Sequence, residues 1–483
     1  MQRNYTLLFL LALVVAAPVL LVATAPAVDK HGAVGSQPAV DSHPAVATNP
    51  VGCVLDVDGT CDRKDPHRSP PLEYFIQELA IPPIAKPFQP NDGFHEPRYI
   101  MSKELISHSF HPDLPNTTMY GYNGIHPGPT FHANTFEPIK VDWVNNLPLE
   151  HPLGYAIDPT LDKSDGFPDV RNTDHLHGAH VLNSSDGIPT SWVVPGVTHH
   201  YRYPLDQDPL TMWYHDHALG ITRINVYTGL AGMFFLYTPG LDEKLGLPTG
   251  KYEIPLVLQD KFFNEDGSLY WPTIGKEGKR PVWVSDFEGD TPIVNGKVAP
   301  YFQVEPRKYR FRILNGGPYR EWNLYFKEDN LHFTHIGGDG GFLPKPLVVN
   351  EVPLGVAERA DVIVDFAGFN GKSVFLRNNA ARHESDFQLP KLLRFDVLSH
   401  VKSKDRTPIA SRLPFHPQPL CIRKNRTMTL RERDEMYLLN NRHFEGPVEI
   451  RPVINTTEIW RIINLTNETH PVHIHLGEFS LIK

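Results

Sequence analysis

The sequence contains a weak internal repeat that limits what the chain can fold into. An Asn-containing turn is followed by a proline and then by an alternating strand that ends in Asn. The pattern occurs at 122–146, at 294–315 and at 439–464. A repeated unit of this kind is best explained by a repeated structural module. The repeat therefore predicts three homologous β-domains in tandem.

The rest of the chain fits an all-β interpretation. From Leu72 onward, short alternating apolar runs lie between Gly, Pro and Asn turns, which is typical of β-sandwiches or barrels. The run KYRFRIL, 308–314, is an example. Its side chains divide by alternation into two faces, with Tyr309, Phe311 and Ile313 on one and Lys308, Arg310 and Arg312 on the other.

The N-terminal region has the features of a targeting segment. Arg3 precedes an apolar run at 7–22, and Ala25-Pro26-Ala27 forms a small-residue cleavage site, so we expect 1–27 to be a signal peptide. The stretch 28–70 is predicted to be a linker without regular structure. Six glycosylation sequons agree with secretion, and they begin at Asn116, Asn183, Asn425, Asn455, Asn464 and Asn467. We expect no membrane association unless the signal segment is retained.

The net charge and the three cysteines limit the kinds of function that the chain can have. The net charge is −9, and no basic stretch resembles a nucleic-acid-binding surface. We therefore expect no nucleic-acid partner. Cys53 and Cys61 are close enough to form a disulfide in an oxidising compartment, and two free thiols are the alternative. Cys421 has no neighbouring histidine, and we interpret it as a buried small apolar residue.

Three His-X-His pairs lie far apart in the chain: His175 with His177, His215 with His217, and His473 with His475. His470 precedes the last pair. On a β-strand His473 and His475 would share one face while Ile474 turned into a core. Imidazole is the commonest metal ligand in proteins, although a structural histidine is the usual alternative for any single pair.

The motifs HLHG, WYHDH and HPVHIH, in that order, resemble the ligand motifs of the multicopper oxidases. The resemblance extends from about Pro71 to the end. It is closest to the spore-coat laccase and bilirubin oxidase branch, which includes the plant low-phosphate-root ferroxidases. It implies tandem cupredoxin-like (plastocyanin-like) Greek-key β-sandwich domains, near 71–240, 250–400 and 408–483, with the third incomplete.

The same resemblance implies roles for the histidines in binding copper. His175 and His473 would hold the lone copper of a three-copper cluster, and His470 would be a ligand of a separate blue copper. The paired cluster coppers would take His177, His215, His217 and His475. Zinc is a poor alternative, because these imidazoles exceed what one tetrahedral zinc uses.

Asp186, nine residues after His177, matches an acid that helps deliver protons to the cluster in the spore-coat enzymes. The alternative is an ordinary turn-forming Asp before Gly187.

The expected partners are dioxygen and a reductant, which is iron(II) or a small aromatic molecule. Asp286, Asp361 and Glu468 fall where the plant ferroxidases carry an acidic iron site. The alternative is that Asp286 and Asp361 are surface or turn acids, as most acids are.

One feature of the family pattern is missing from the sequence. The family has an HCHxxxH segment, and no HCH occurs in the 483 residues. A blue copper site needs a Cys thiolate. We therefore expect the chain as written to be unable to reduce dioxygen to water. The alternative function is a non-catalytic, secreted copper-binding or interaction protein with a decayed oxidase fold.

Overall fold

A computed structural model describes most of the chain from residue 67 onward, together with 54–55 and 61–62. The further described residues are 67–91, 93, 95–158, 166–273, 287–380, 388–400, 405, 407–414, 422–433, 436–442, 446–448, 450–453, 456–468, 470–477, 479 and 481. Several predictions lie outside the described residues: the targeting segment 1–27, the linker as far as residue 53, Cys421, Asn455 and Asp286. Cys61 lies in a described strand, but neither its side chain nor Cys53 is described, so the disulfide stays a prediction.

The described residues form 26 strands and few helices. The strands are β1 Val54–Leu55, β2 Cys61–Asp62, β3 Arg98–His108, β4 Thr117–Tyr122, β5 Gly128–Asn134, β6 Ile139–Asn145, β7 Asp174–His177, β8 Thr198–Tyr203, β9 Thr211–Asp216, β10 Ala231–Tyr237, β11 Glu253–Phe263, β12 Leu269–Tyr270, β13 Thr291–Val294, β14 Lys297–Val298, β15 Tyr301–Val304, β16 Lys308–Asn315, β17 Trp322–Tyr325, β18 Phe333–Gly338, β19 Gly341–Val349, β20 Glu351–Leu354, β21 Arg359–Asp365, β22 Ser373–Asn378, β23 Lys391–Val397, β24 Ile422–Arg433, β25 Met436–Leu439 and β26 Thr457–Asn464. The α-helices are α1 Thr222–Thr228 and α2 Leu241–Lys244, and 3-10 turns cover Gly154–Ala156, Asn183–Ser185 and Gly250–Tyr252.

The internal repeat corresponds to one structural motif that occurs three times. In each copy a long strand pairs antiparallel with a strand that follows it and parallel with the alternating strand of the repeat. The three sets are β3 with β4 and β6, β11 with β13 and β16, and β24 with β25 and β26. The equivalent pairing shows that the domains are built alike.

The Asn of each repeat has the same structural task. Asn123, Asn295 and Asn440 all have positive φ, of 50°, 48° and 51°, at the turn that starts the pattern. Each Asn makes two hydrogen bonds with the backbone of one residue on the long strand. Its side-chain oxygen accepts from the N–H of that residue, and its own N–H donates to the carbonyl oxygen of that residue. The partners of the three Asn residues, in chain order, are Ser102, Val257 and Thr429. Asn tolerates left-handed backbone and bonds locally, which explains its recurrence.

The first two domains are sandwiches with a buried core between two sheets. In the first domain the sheets run β4-β3-β6-β8 and β5-β10-β9-β7. In the second they run β14-β13-β11-β16-β21-β18-β19, with β12 against β11, and β15-β23-β22-β17-β20. Both cores are aromatic-rich, with Trp143 at 1% exposure in the first and Trp322 at 1% in the second. The exact domain boundaries stay predictions.

The described residues of the third domain form a three-stranded sheet of order β25-β24-β26. Met428, Leu430 and Leu438 are buried in it, and an apolar cavity lies against its strands, lined in part by Trp460 and Ile462. Among the described residues of the chain, no helix is long and apolar enough to cross a membrane.

The alternation predicted for β16 is present, and both of its faces are buried. Tyr309, Phe311 and Ile313 belong to the core of the second domain. Arg310 and Arg312, on the other face, are also buried, at 0% and 2% exposure. Arg312 packs against the first domain, where its guanidinium donates to Thr211 Oγ1 over 2.9 Å, while Arg310 donates to Asp361 and to Asp242 of α2. The polar face of this strand therefore forms part of the contact between two domains.

Candidate metal centre

Two neighbouring strands of the first domain hold four of the predicted ligands. β7 and β9 pair antiparallel, with His175 directly opposite His215 and Asp174 opposite Asp216. His217 follows β9 at once. Because side chains alternate along a strand, the histidines lie on one face of this pair and the two aspartates on the other.

The third-domain segment reaches this face, but not as the strand we predicted. The described residues 470–474 form no strand, and a turn follows at His475 and Leu476, where Leu476 has φ of 62°. The strand prediction was wrong: within the described part of the chain these residues pair with no strand, and side-chain contacts of His473 with His175 and of His475 with Asp186 hold them against the first domain. The rings of His473 and His475 still lie 4.8 Å apart, and Ile474 lines the apolar cavity of the third domain.

Six imidazole rings converge from three distant segments. The closest centroid distances are 3.7 Å for His177 and His473 and 4.0 Å for His175 and His475. His175 and His473 point their Nε2 atoms at each other over 3.3 Å. The six residues are His175, His177, His215, His217, His473 and His475. The structure therefore brings together the predicted cluster ligands.

Hydrogen bonds fix which nitrogens can bind a metal. His175 and His215 each lie with Nδ1 beside a backbone oxygen, at 2.6 and 2.7 Å, so Nδ1 must donate and Nε2 is left with its lone pair. The Nε2 atoms of His215 and His475 and both nitrogens of His217 are buried without a hydrogen-bonding partner in the described part of the chain. Unpaired buried nitrogens are costly, and a bound metal ion would satisfy them.

The cluster favours neutral rings, as metal binding requires. Burial holds the pKa of His177, His215, His217 and His473 well below the usual value, and the neighbouring imidazoles add to the effect. Burial also lowers the pKa of His475. The donor set of buried neutral imidazoles fits copper.

Asp186 joins two of the ligand segments. Its Oδ2 accepts from His475 Nδ1 over 2.8 Å, and its backbone oxygen accepts from His175 Nδ1. Burial alone would raise the pKa of Asp186, but the bonds to the two histidines bring it below its ordinary value. Gly187 presses this turn against β7, since a Cβ at Gly187 would lie 2.1 Å from Asp174 O.

A second layer lies behind the histidines and was not recognised in the sequence. Lys103 and Asp174 form an ion pair whose side chains are 0% exposed, and Tyr122 Oη donates to the same carboxylate over 3.0 Å. Asp216 accepts from Asn225 Nδ2, and burial raises the pKa of Asp216 to about 7. The available signal was a lysine in the apolar register of β3 and an aspartate inside each histidine motif.

His470 lies outside the six-ring cluster. Its Nε2 lies 2.8 Å from Thr466 Oγ1, and its Nδ1 is buried without a hydrogen-bonding partner among the described residues. The ring of Tyr437 packs edge-on against it at 4.8 Å, and Tyr437 Oη donates to Glu468 over 2.5 Å. One tyrosine therefore links the predicted blue-copper imidazole to the predicted iron acid.

The structure gives Asp361 a different role from the one we predicted. Asp361 is 5% exposed, and its two oxygens accept from Arg310 Nε and Nη2 at 2.8 and 2.6 Å. A carboxylate occupied by a buried guanidinium is not an open iron ligand, which argues against its place in the iron site. Asp286, the third predicted iron acid, lies outside the described residues.

Comparison with known proteins agrees with the geometry of the site. A family model described as multicopper oxidase matches residues 169–240, which contain the first two histidine pairs. The chain is 38% identical over 438 residues to a laccase of Bacillus subtilis, covering 85% of this chain and 84% of the relative. It is 34% identical over 447 residues to the multicopper oxidase LPR2 of Arabidopsis thaliana, covering 85% and 75%.

Solved structures show the same similarity. A variant of the McoA multicopper oxidase from Aquifex aeolicus superposes with a TM-score of 0.68 at 27% identity, covering 84% of this chain and 86% of that one. A laccase from Pediococcus acidilactici gives 0.67 at 27% identity, covering 83% and 78%. The chain thus resembles these proteins over most of its length.

Proposed function

The chain belongs to the multicopper oxidase family, and we propose that it is a secreted oxidase coupling one-electron oxidation of iron(II) or a phenol-like molecule to reduction of dioxygen to water. No HCH occurs in the 483 residues, so we propose this activity for a form that also supplies the Cys thiolate of the blue copper, and we expect the 483 residues alone to bind copper without reducing dioxygen. Members of this family are copper enzymes that use dioxygen and reducing substrates. The observation that carries the proposal is the convergence of six imidazole rings, five of them buried and that of His473 half-buried. Some of their nitrogens have no hydrogen-bonding partner among the described residues.

Copper bound at these residues would supply one-electron redox chemistry and the site where dioxygen is reduced. We assign His175 and His473 to a lone cluster copper, in keeping with their facing Nε2 atoms. The paired coppers are assigned to the remaining four rings of the cluster, and His470 to a separate copper. The paired assignment covers His177, His215, His217 and His475.

Asp186 is proposed to pass protons on beside the cluster. Burial acts to raise its pKa, but the two histidines bring the pKa below the ordinary value, so at neutral pH Asp186 is ionised and would relay a proton rather than keep it. Its Oδ2 accepts from His475 Nδ1, and its Oδ1 lies 3.4 Å from His175 Nδ1. The carboxylate therefore contacts two of the predicted copper ligands, which places it beside the cluster.

The position of Glu468 supports iron(II) as the reductant. Its carboxylate lies two residues before His470 and shares Tyr437 with that imidazole. Carboxylate oxygen is a hard ligand that suits iron ions. Secretion is supported by the sequons at Asn116, Asn183 and Asn425, which are all exposed.

The test uses the native protein. We would measure its copper content, its copper EPR spectrum, and its oxygen uptake with iron(II) and with a phenol. The proposal predicts bound copper and one dioxygen consumed for every four iron(II) ions oxidised. His217→Gln should lose copper and oxygen uptake, whereas the matched His200→Gln, at an exposed ring, should keep both. Copper binding without oxygen uptake would support the non-catalytic alternative, and absence of bound copper would overturn the assignment of the histidines.

A further inference from the structure

Arg359 of the second domain reaches into the metal-binding part of the first. It begins β21, and its side chain is 3% exposed. Its Nε donates to the backbone oxygen of Thr211 over 3.0 Å. Thr211 is the first residue of β9, which carries His215. One residue of the second domain therefore holds the start of a ligand strand.

The same guanidinium lies against the turn that follows the first histidine pair. A Cβ at Gly178, which has φ of 97°, would lie 3.0 Å from Arg359 Nη2. Gly178 directly follows His177, so the positive charge is next to the ligand face. A larger residue at Gly178 would meet both a left-handed backbone and the guanidinium.

The charge of Arg359 is fixed and only partly neutralised. Its Nη1 pairs with Asp339 Oδ1 over 2.7 Å and donates to Ala357 O over 3.0 Å. The Asp339 side chain is 46% exposed, so solvent screens the carboxylate while the guanidinium stays buried. Because arginine does not deprotonate in proteins, this side of the centre carries a permanent cation.

We propose that Arg359 is a positioning residue of the copper centre, which anchors strand β9 and whose buried charge favours copper(I) over copper(II) at the neighbouring histidines. The inference rests on the proposed function, since it requires copper at these residues. A nearby positive charge disfavours the more highly charged metal ion, by Coulomb repulsion that is strong in a water-poor interior.

The experiment separates charge from structure with three variants. Arg359→Lys keeps the charge, Arg359→Gln keeps a hydrogen-bond donor without the charge, and Asp339→Asn removes the counter-charge. For each folded, copper-loaded protein, the affinities for copper(I) and copper(II) are measured by competition with chromophoric chelators at one pH. EPR of the copper(II) form then reports the coordination.

The proposal predicts that the Arg359 and Asp339 variants change the ratio of copper(I) to copper(II) affinity in opposite directions. Arg359→Gln should lower this ratio by about tenfold, and Arg359→Lys should change it much less. Asp339→Asn should raise the ratio by a smaller factor, because solvent already screens that carboxylate. A purely structural residue would not give a rise with Asp339→Asn. An unchanged ratio in Arg359→Gln and Asp339→Asn would overturn the inference, and if the Arg359 variants do not fold, Asp339→Asn alone decides. Failure of the unsubstituted chain to bind copper through histidine would instead overturn the proposed function.

Discussion

His475 and Asp186 are joined by a hydrogen bond of 2.8 Å although they are 289 residues apart in the chain. The bond links the third-domain ligand segment to the first domain. The backbone oxygen of the same aspartate holds His175. A single residue thus orients two imidazoles from distant segments of the chain, and it does so through the Nδ1 atoms, which leaves Nε2 for the metal.

Replacing Asp186 with Ala should weaken copper binding. The His475 Nδ1–H would lose its acceptor, and losing such an outer partner typically costs about 10–100-fold in metal affinity. The affinity is measured by chelator competition at neutral pH. Asp186→Asn, which keeps an acceptor oxygen, is the matched control and should lose less. Equal affinities in the unsubstituted protein and Asp186→Ala would show that the bond does not orient the ring.

The turn that carries Asp186 can be tested through Gly187. Gly187 and Gly196 both have positive φ, of 69° and 89°. A Cβ at Gly187 would lie 2.1 Å from Asp174 O, whereas one at Gly196 would meet nothing within 4 Å. We expect Gly196→Ala to cost only about 1 kcal/mol of folding free energy, the usual cost of that backbone region. Gly187→Ala should cost clearly more, by chemical denaturation, and should also lower copper affinity. Equal costs would contradict the close approach.

Much of the fold was predictable because its signals are local. The three Asn turns recur since each needs a residue that tolerates positive φ and bonds to the adjacent strand, and Asn123, Asn295 and Asn440 do both. The alternation of KYRFRIL correctly divided its side chains between two faces. Alternation does not reveal what covers a face, so the burial of Arg310 and Arg312 was not predictable.

The candidate metal centre was also predictable only in part. The paired spacing predicted which imidazoles come together, because a period of two places both members on one face of a strand. The coil backbone at His473 was missed, since its position depends on contacts with the first domain. Lys103 was missed too, because its partner Asp174 is distant in sequence, and a pair buried at 0% exposure can be recognised only in three dimensions.

Acid should destabilise the metal-free protein through its buried histidines, and His151 gives a measurable case. Burial lowers the pKa of His151 to about 4, from 6.5 in the unfolded chain. The unfolded state therefore binds more protons between these values, so the stability that this group contributes is complete above pH 6.5 and is lost as pH falls toward 4. Between pH 7 and pH 5 the loss is about 2 kcal/mol.

The measurement is denaturant unfolding of the metal-free protein at both pH values, with His151→Gln as the comparison. His151 Nδ1 accepts from Leu153 N over 2.9 Å, and protonation would break that bond. The difference in unfolding free energy between pH 7 and pH 5 should be about 2 kcal/mol smaller in the variant. An identical difference in both proteins would mean that His151 is not held neutral.

Asp361 and Glu468 should respond differently to substitution, because only one of them has a carboxylate near a predicted copper ligand. Asp361→Asn would leave Arg310 buried with a weakened partner, and breaking a buried ion pair costs roughly 3 kcal/mol. Its folded fraction should oxidise iron(II) with an unchanged KM.

Glu468→Gln should leave the free energy of unfolding nearly unchanged and raise the KM for iron(II), while kinetics with a phenol serve as the internal control. A raised iron(II) KM in Asp361→Asn would restore it to the iron site. An unchanged KM in Glu468→Gln would leave the phenol-like reductant as the better proposal, since Glu468 is the predicted iron acid that lies beside a predicted copper ligand.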